Sequence, residues 1–328
     1  MCTRTLWSPS ENLVLAGRTM DYEVDLRTNL WAFPRGMTRD NGVDDSLTWT
    51  STYGSVVAAA YDLASTDGIN EAGLAGHLLW LAESDYGDRD PERPALSASA
   101  WVQYMLDNFS TVADAVDWMR RSRVQIRTSG DPVTGATVTV HLALDDRSGD
   151  SAIIEYTDGE PHIWHDRSYT VMTNSPPFAE QLDRLREIEG FGGDRPLPGG
   201  TDADERFARA AYYLDRLPAP TDRTGAVAEL LSVMRNASQP FRTPEPGHPN
   251  ASTTLWRTIT DHVDGVYVFE DTSRPNIVWT RLDALDLSEG APVRKLDLVA
   301  DTGLEGGLVG EVSAHFEVAA PMEFLRAS

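Results

Sequence analysis

Met1-Cys2-Thr3-Arg4-Thr5-Leu6-Trp7, then Ser8-Pro9-Ser10-Glu11-Asn12, then Leu13-Val14-Leu15-Ala16-Gly17-Arg18-Thr19-Met20-Asp21: this opening stretch decides how the rest of the chain is read. Two strand-like runs flank a cluster of turn formers, which is the pattern of a hairpin. Cys2 is the only cysteine among 328 residues, and it directly follows Met1. Once the preceding residue is removed, a sulfur nucleophile and a free α-amine belong to one residue. A thiol has an ordinary pKa of about 8.5 and an α-amine one of about 7.7–8.0, so near neutral pH the amine can take the thiol proton. An N-terminal residue that uses its own amine as base is one form of activated nucleophile. A lone cysteine is more commonly a small buried hydrophobe, and a chain end frays unless tied down. Pairing the first strand into a sheet supplies that tie.

Arg18 and Asp21 lie on the second strand. Alternation puts them on opposite faces, so for both to reach Cys2 the strand must bulge or end near Met20. Beside the terminus, a carboxylate can hold the α-amine by hydrogen bonds, and an arginine near the sulfur favours the thiolate. Away from it, the two charges are a surface ion pair of little worth.

The apolar fraction of 41% and nine tryptophans suffice for a large core. A net charge of −23 disfavours nucleic acid and anionic membrane surfaces as partners, since both are polyanions. A single cysteine rules out an intramolecular disulfide. No apolar run approaches the eighteen residues a membrane span needs, and no basic, apolar leader stands at the start. The expected location is cytoplasmic if Met1 is the native start, and periplasmic or secreted if a leader precedes it.

Further along, Thr28 to Pro34 reads as a strand. Ser55 to Asp62 and Leu74 to Ala82 read as a buried hairpin around a Thr66 to Gly73 turn. Helical spacing runs over Leu96 to Phe109, and Ser110 is the candidate N-cap of a second helix, Thr111 to Arg121. Val138 to Leu144 alternates as a half-buried strand, followed by strands at Ala152 to Tyr156, Ile163 to His165 and Tyr169 to Thr173. Helices are expected at Phe178 to Ile188, Ala203 to Leu217 and Ala226 to Arg235. Strands return at Thr253 to Ile259, Val266 to Glu270 and Asn276 to Leu282. This order fits two packed antiparallel sheets with helices on the outer faces, spanning residues 2–328 as one domain. His162 and His165 are three apart on a strand, so they face opposite sides and do not read as metal ligands. No Gly-x-Ser-x-Gly elbow is present, which argues against an ordinary serine hydrolase.

Several short strings occur in order over roughly residues 2 to 215: Met1-Cys2-Thr3-Arg4, Gly17-Arg18-Thr19-Met20-Asp21, Gly68-Ile69-Asn70-Glu71-Ala72-Gly73-Leu74, Thr173-Asn174-Ser175-Pro176 and Glu205-Arg206-Phe207. Together they resemble the choloylglycine hydrolase family, N-terminal-nucleophile hydrolases that include conjugated bile acid hydrolases and penicillin V acylases. Thr28 to Met37 looks like the branch of penicillin V acylases and acyl-homoserine lactone acylases found in Gram-negative bacteria.

The resemblance implies an α+β fold, a four-layer αββα sandwich of two antiparallel sheets, and a cysteine amidohydrolase acting on linear amides. By it, Cys2, Arg18, Asp21, Asn174 and Arg206 are the catalytic residues. Arg206 follows an Asp202-x-x-Glu205 helix start, and on its own sequence context it reads as a solvated helical charge. Asn174 precedes Ser-Pro-Pro and reads either as a turn former or as an oxyanion donor. The resemblance gives it the second role, together with the backbone amide of Trp80. Trp80 stands where the resembled bile acid hydrolases have asparagine, which points to a flat, apolar, aromatic-preferring pocket. Met20, Tyr22 and Trp80 are the candidate substrate-binding residues, and each reads equally well as a core residue. No metal or cofactor is implied; the family is often tetrameric. The substrate readings, in order, are a penicillin V or acyl-homoserine lactone type amide, then a conjugated bile acid. A non-catalytic acyl binder of the same fold stands apart from both. The anionic acyl amides would need Arg18, Arg206 or another cation near the site.

Overall fold

The computed structural model describes the chain apart from residues 42, 44–46, 244–251, 275, 300–306 and 328. Strands β1 (Cys2–Ser10) and β2 (Leu13–Tyr22) form the expected hairpin, with Cys2 opposite Met20 and Arg4 opposite Arg18. After β3 (Asn29–Phe33) and a small hairpin of β4 (Thr38–Asp40) and β5 (Thr48–Thr50) come β6 (Ser55–Ala60), β7 (Ala64–Asn70) and β8 (Ala75–Trp80). The expected two-stranded hairpin is therefore a three-stranded meander. The stretch read as a turn is mostly strand, and only the four residues from Glu71 reverse the chain. Gly73 sits there at φ +90°, and a Cβ would lie 2.6 Å from the His262 carbonyl, so only glycine fits.

The short β9 (Ala95–Ser97) leads into α1 (Ala98–Asn108), then α2 (Val112–Ser122) and β10 (Gln125–Arg127). The N-cap of α2 is Thr111, whose hydroxyl accepts from the Asp114 amide at 3.1 Å, and not Ser110. Next come β11 (Val140–Asp145), β12 (Ser151–Thr157), β13 (Glu160–His165) and β14 (Val171–Met172). Helices α3 (Phe178–Leu185), α4 (Ala203–Leu214) and α5 (Arg223–Ala237) follow. The chain ends in β15 (Thr253–Asp261), β16 (Val266–Asp271), β17 (Ile277–Arg281), β18 (Arg294–Leu296), β19 (Gly310–Glu311) and β20 (Glu317–Val318).

One sheet has the order β14-β1-β2-β15-β16-β17-β19 and the other β13-β12-β11-β8-β7-β6-β3-β18-β20. Helices α4 and α5 cover the outer face of the first. Gly17 permits this approach: a Cβ there would come within 2.7 Å of Met234 on α5. Helices α1 and α2 cover the outer face of the second, with Trp101, Val102, Met105 and Met119 buried against Leu142, Ile154 and Tyr156. The result is the four-layer αββα sandwich. Because β11 lies between a helix layer and the other sheet, it is buried on both faces rather than half-buried, and its His141 and Asp145 are held by partners in the interior. Among the described residues no helix is long and apolar enough to cross a membrane.

His262, just past β15, ties the two sheets at the Gly73 turn through Nδ1 and the Gly73 carbonyl, 3.0 Å apart. Burial pushes its pKa down to about 4 from an ordinary 6.5. A histidine neutral when folded and protonated when unfolded contributes stability that is complete above about pH 6.5 and lost as the pH falls to about 4. We expect up to about 3 kcal/mol of stability to disappear over that window, and the slope to be visibly shallower in His262→Asn. Urea unfolding at half-unit pH steps measures it; identical slopes in both proteins would contradict the assignment.

Candidate active site

The site starts from β1. On its free side β1 pairs with β14, with Arg4 opposite Met172. Continuing that antiparallel register by two residues sets Asn174 opposite Cys2. Accordingly the Cys2 main-chain N–H donates to Asn174 Oδ1 at 2.5 Å. Cys2 is 3% exposed, and its sulfur lies 3.7 Å from Met20 Sδ and 3.9 Å from Arg18 Nη2. The terminal amine of Met1 donates to the main-chain carbonyl of Asp21. Its pKa is lowered, first by burial, against the raising influence of Cys2 and Asp21.

Arg18 reaches from the first sheet into the second. Strands β7 and β8 pair only from Ile69–Ala75 to Asp67–His77 and then splay apart. The Arg18 guanidinium bridges the closed end of the fork, donating to Thr66 O, to Leu78 O at 2.5 Å and to Asp67 Oδ2 at 3.2 Å. Burial works against its charge, but Asp67 and the Cys2 sulfur outweigh burial and raise its pKa. Asp67 also accepts from the Tyr267 hydroxyl at 2.5 Å and from His77 Nδ1 at 2.6 Å. Burial would raise the Asp67 pKa, yet His77 and Arg18 hold it below the usual carboxylate range. The far nitrogen of His77 lies 3.1 Å from Asp145, which pairs with Arg4. Burial lowers the pKa of His77 against the pull of Asp67. The chain Arg4–Asp145–His77–Asp67–Arg18 lies in a fully buried position. Such an assembly tolerates burial only while each charge keeps its partner.

The opposite face of β2 carries Asp21. The strand neither bulges nor ends at Met20; the irregularity lies on β15, between Thr254 and Trp256. Arg18 and Asp21 therefore stay on opposite faces, and each meets the terminus by its own route. Asp21 accepts from Thr254 Oγ1 at 2.6 Å and Gln239 Nε2 at 3.3 Å, with Arg206 at 3.6 Å. Arg206 is fully buried, in contrast to the solvated charge its sequence context suggests. An Asp202/Glu205 capping box starts α4 so that Arg206 projects onto β1. It donates to Cys2 O at 2.7 Å, Thr3 Oγ1 at 2.5 Å and Asn174 Oδ1 at 2.8 Å. Asn174 Nδ2 in turn donates to Trp80 O at 2.6 Å, and Gln181 holds the Asn174 carbonyl.

Leu81 N bonds to the carbonyl of Thr139, the residue before β11, so the even-numbered residues of β8 turn their main-chain groups to the other edge. That is where Arg18 meets Leu78 O and Asn174 meets Trp80 O. The Trp80 N–H thus points to the edge where Cys2 lies.

A cavity of about 430 Å³ opens from Cys2, lined among others by Met20, Tyr22 and Trp80. Tyr22 is fixed by a 3.2 Å hydrogen bond to Asp131. Among the described lining residues there is no lysine or arginine, whereas Asp21, Glu23 and Asp131 are present. Arg18 and Arg206, the cations expected to serve an anionic substrate, are turned into the protein. Sequence reasoning missed Asp67, His77, Asp145, Gln181, Gln239 and Thr254. Of these only Asp67 carries a local hint, one residue ahead of the Gly68 motif.

A family model described as linear amide C–N hydrolases, choloylglycine hydrolase family, matches residues 2–299. A penicillin V acylase from Pectobacterium atrosepticum is 40% identical over 98% of this chain and 92% of its own length. The structure of a penicillin V acylase from Agrobacterium tumefaciens superposes with a TM-score of 0.89 at 44% identity, covering 99% of both chains. A variant of the conjugated bile acid hydrolase from Clostridium perfringens shares the fold at 18% identity, with a TM-score of 0.77 over 90% of this chain and 96% of its own.

Removing one member of the buried charge chain leaves another uncompensated. Asp67→Asn is expected to cost about 3–5 kcal/mol of stability, measured by urea denaturation at pH 7. A loss below about 1 kcal/mol would mean that Arg18 does not depend on Asp67.

Proposed function

The chain belongs to the choloylglycine hydrolase family and hydrolyses linear amide C–N bonds, and we propose that it does so as an N-terminal-nucleophile acylase in which Cys2 attacks the amide carbonyl. The observation that carries this reading is the convergence of Arg18, Asn174 and Arg206 on one residue, with Asp21 behind them.

When the residue before Cys2 is removed, the Cys2 nitrogen becomes the α-amine, already beside Asn174 Oδ1. Burial at this end of β1 lowers the pKa of an amine there, as it does for Met1, so the neutral form is available as a base. That amine takes the Sγ proton, and Arg18 favours the resulting thiolate. The sulfur–carbon bond forms, and the carbonyl π electrons move to oxygen. The second Nδ2 hydrogen of Asn174 and the Trp80 main-chain N–H receive the oxyanion. The ammonium returns its proton to the leaving nitrogen as the C–N bond breaks. Water, deprotonated by the same amine, then cleaves the thioester. Arg206 acts as a positioning residue, holding the Cys2 carbonyl and the Asn174 side chain together, and Asp21 fixes Arg206.

For substrate, the relatives' activity supports an aromatic acyl amide of the penicillin V kind. The anionic cavity lining supports a second reading, an acyl-homoserine lactone, whose leaving group is neutral. The same lining and the distant relationship put conjugated bile acids third.

A hydrolysis panel of penicillin V, acyl-homoserine lactones and glycocholate tests the reading. We expect Cys2→Ala to fall to background. Asn174→Ala is expected to lose about 10²–10³-fold in kcat. Trp80→Ala, which keeps the main-chain donor, should mainly raise KM. Turnover of glycocholate alone would overturn the substrate order, and an active Cys2→Ala protein would overturn the mechanism.

A further inference from the structure

The cavity does not stay between the sheets. On β8, Ala75 and Leu79 face the inter-sheet core, whereas Leu78 faces the layer beneath α1. The lining includes Cys2, Met20 and Ala60 from the first layer and Leu78, Val140 and Ala98 from the second. The cavity therefore crosses the sheet, and it does so at the fork where β7 and β8 stop pairing beyond Asp67 and His77. Small side chains, Ala60 and Ala64 at the β6–β7 turn and Ala98 at the start of α1, leave the passage open.

At its far side lies a segment near the end of the chain. Met322 and Phe324 are buried in the core between the second sheet and the α1 layer, while Leu325 lines the cavity. Leu325 is held at both ends of its peptide unit. Its N–H donates to Leu63 O at 2.9 Å, and its carbonyl accepts from Ser97 Oγ at 3.2 Å and Ser99 Oγ at 2.9 Å. A residue clamped by three hydrogen bonds in the lining of an apolar cavity is a fixed wall, not a frayed end.

We propose that Leu325 is the end-stop of the acyl site: the acyl chain runs from Cys2 through the gap between β7 and β8, and its last carbons meet Leu325, which sets the longest chain accepted. This rests on the acylase reading above. Each methylene moved from water into the cavity is worth about fourfold in kcat/KM.

The test is kcat/KM for N-acyl-homoserine lactones of four to twelve carbons with the wild-type protein, Leu325→Ala and Leu325→Trp. Leu325→Ala is expected to raise the ratio of longest to shortest chain by about fifteenfold, and Leu325→Trp to lower it by as much, since about two methylenes are gained or lost. The rate on the shortest chain should hold. Equal chain-length profiles in all three proteins, with the short chain turned over, would overturn the end-stop. If none of the three hydrolyses any lactone, the lactone reading fails separately. Saturated fatty acids of the same lengths, protecting Cys2 from alkylation, then report the end-stop: a shifted length dependence supports it, and an unchanged one overturns it.

Discussion

One guanidinium holds the two sheets in register with Cys2. Arg18 leaves the first sheet, enters the fork between β7 and β8 and saturates two carbonyls that would otherwise be unpaired in the interior. A buried carbonyl left without a donor is costly, so the fork and the arginine depend on each other. Asp67 neutralises the charge, Tyr267 and His77 satisfy Asp67, and Asp145 with Arg4 closes the chain back on β1. The hairpin that carries Cys2 is thereby fixed at Arg4 and Arg18, which face each other across β1 and β2. A chain terminus that would fray on its own becomes as rigid as the core.

The two faces of β2 divide the work. The face toward the second sheet puts Arg18 and Met20 around the sulfur, and the face toward the helices puts Asp21 with Arg206, Gln239 and Thr254. Asn174 stands at the boundary, its oxygen facing the Cys2 nitrogen and its NH₂ group facing Trp80. The fork that Arg18 occupies also leaves the gap through which the cavity passes. The support of Cys2 and the proposed acyl space thus share one irregularity in the second sheet.

The part of this design that rests on local pattern was legible in the sequence. The first hairpin, α1, α4 and the strands β15 to β17 follow from alternation, helical spacing and caps; the short β18, β19 and β20 were not legible. The Gly73 turn was visible as a glycine, but the strand before it was not: Asp67 and Gly68 are poor strand formers by composition, held there by pairing on both sides. Asp67, His77 and Asp145 were not legible as a site because they lie on three different strands, and only sheet packing joins positions 18, 67, 77 and 145. Arg206 misled for the related reason that its near neighbours in sequence are charged while its contacts are Cys2, Thr3 and Asn174. Leu325 offered no signal, since nothing local marks a leucine as the wall of a distant cavity.

The central claim is that the amine of a processed Cys2 activates its own sulfur. Acid-quenched intact-mass and peptide analysis after brief mixing with penicillin V, or with a lactone that is turned over, addresses it directly. The account predicts a transient acyl adduct on the first peptide of a chain that begins at Cys2, held as a thioester that hydroxylamine releases. Substrate turnover by a chain that still carries Met1, or with no acyl group ever on Cys2, would contradict it.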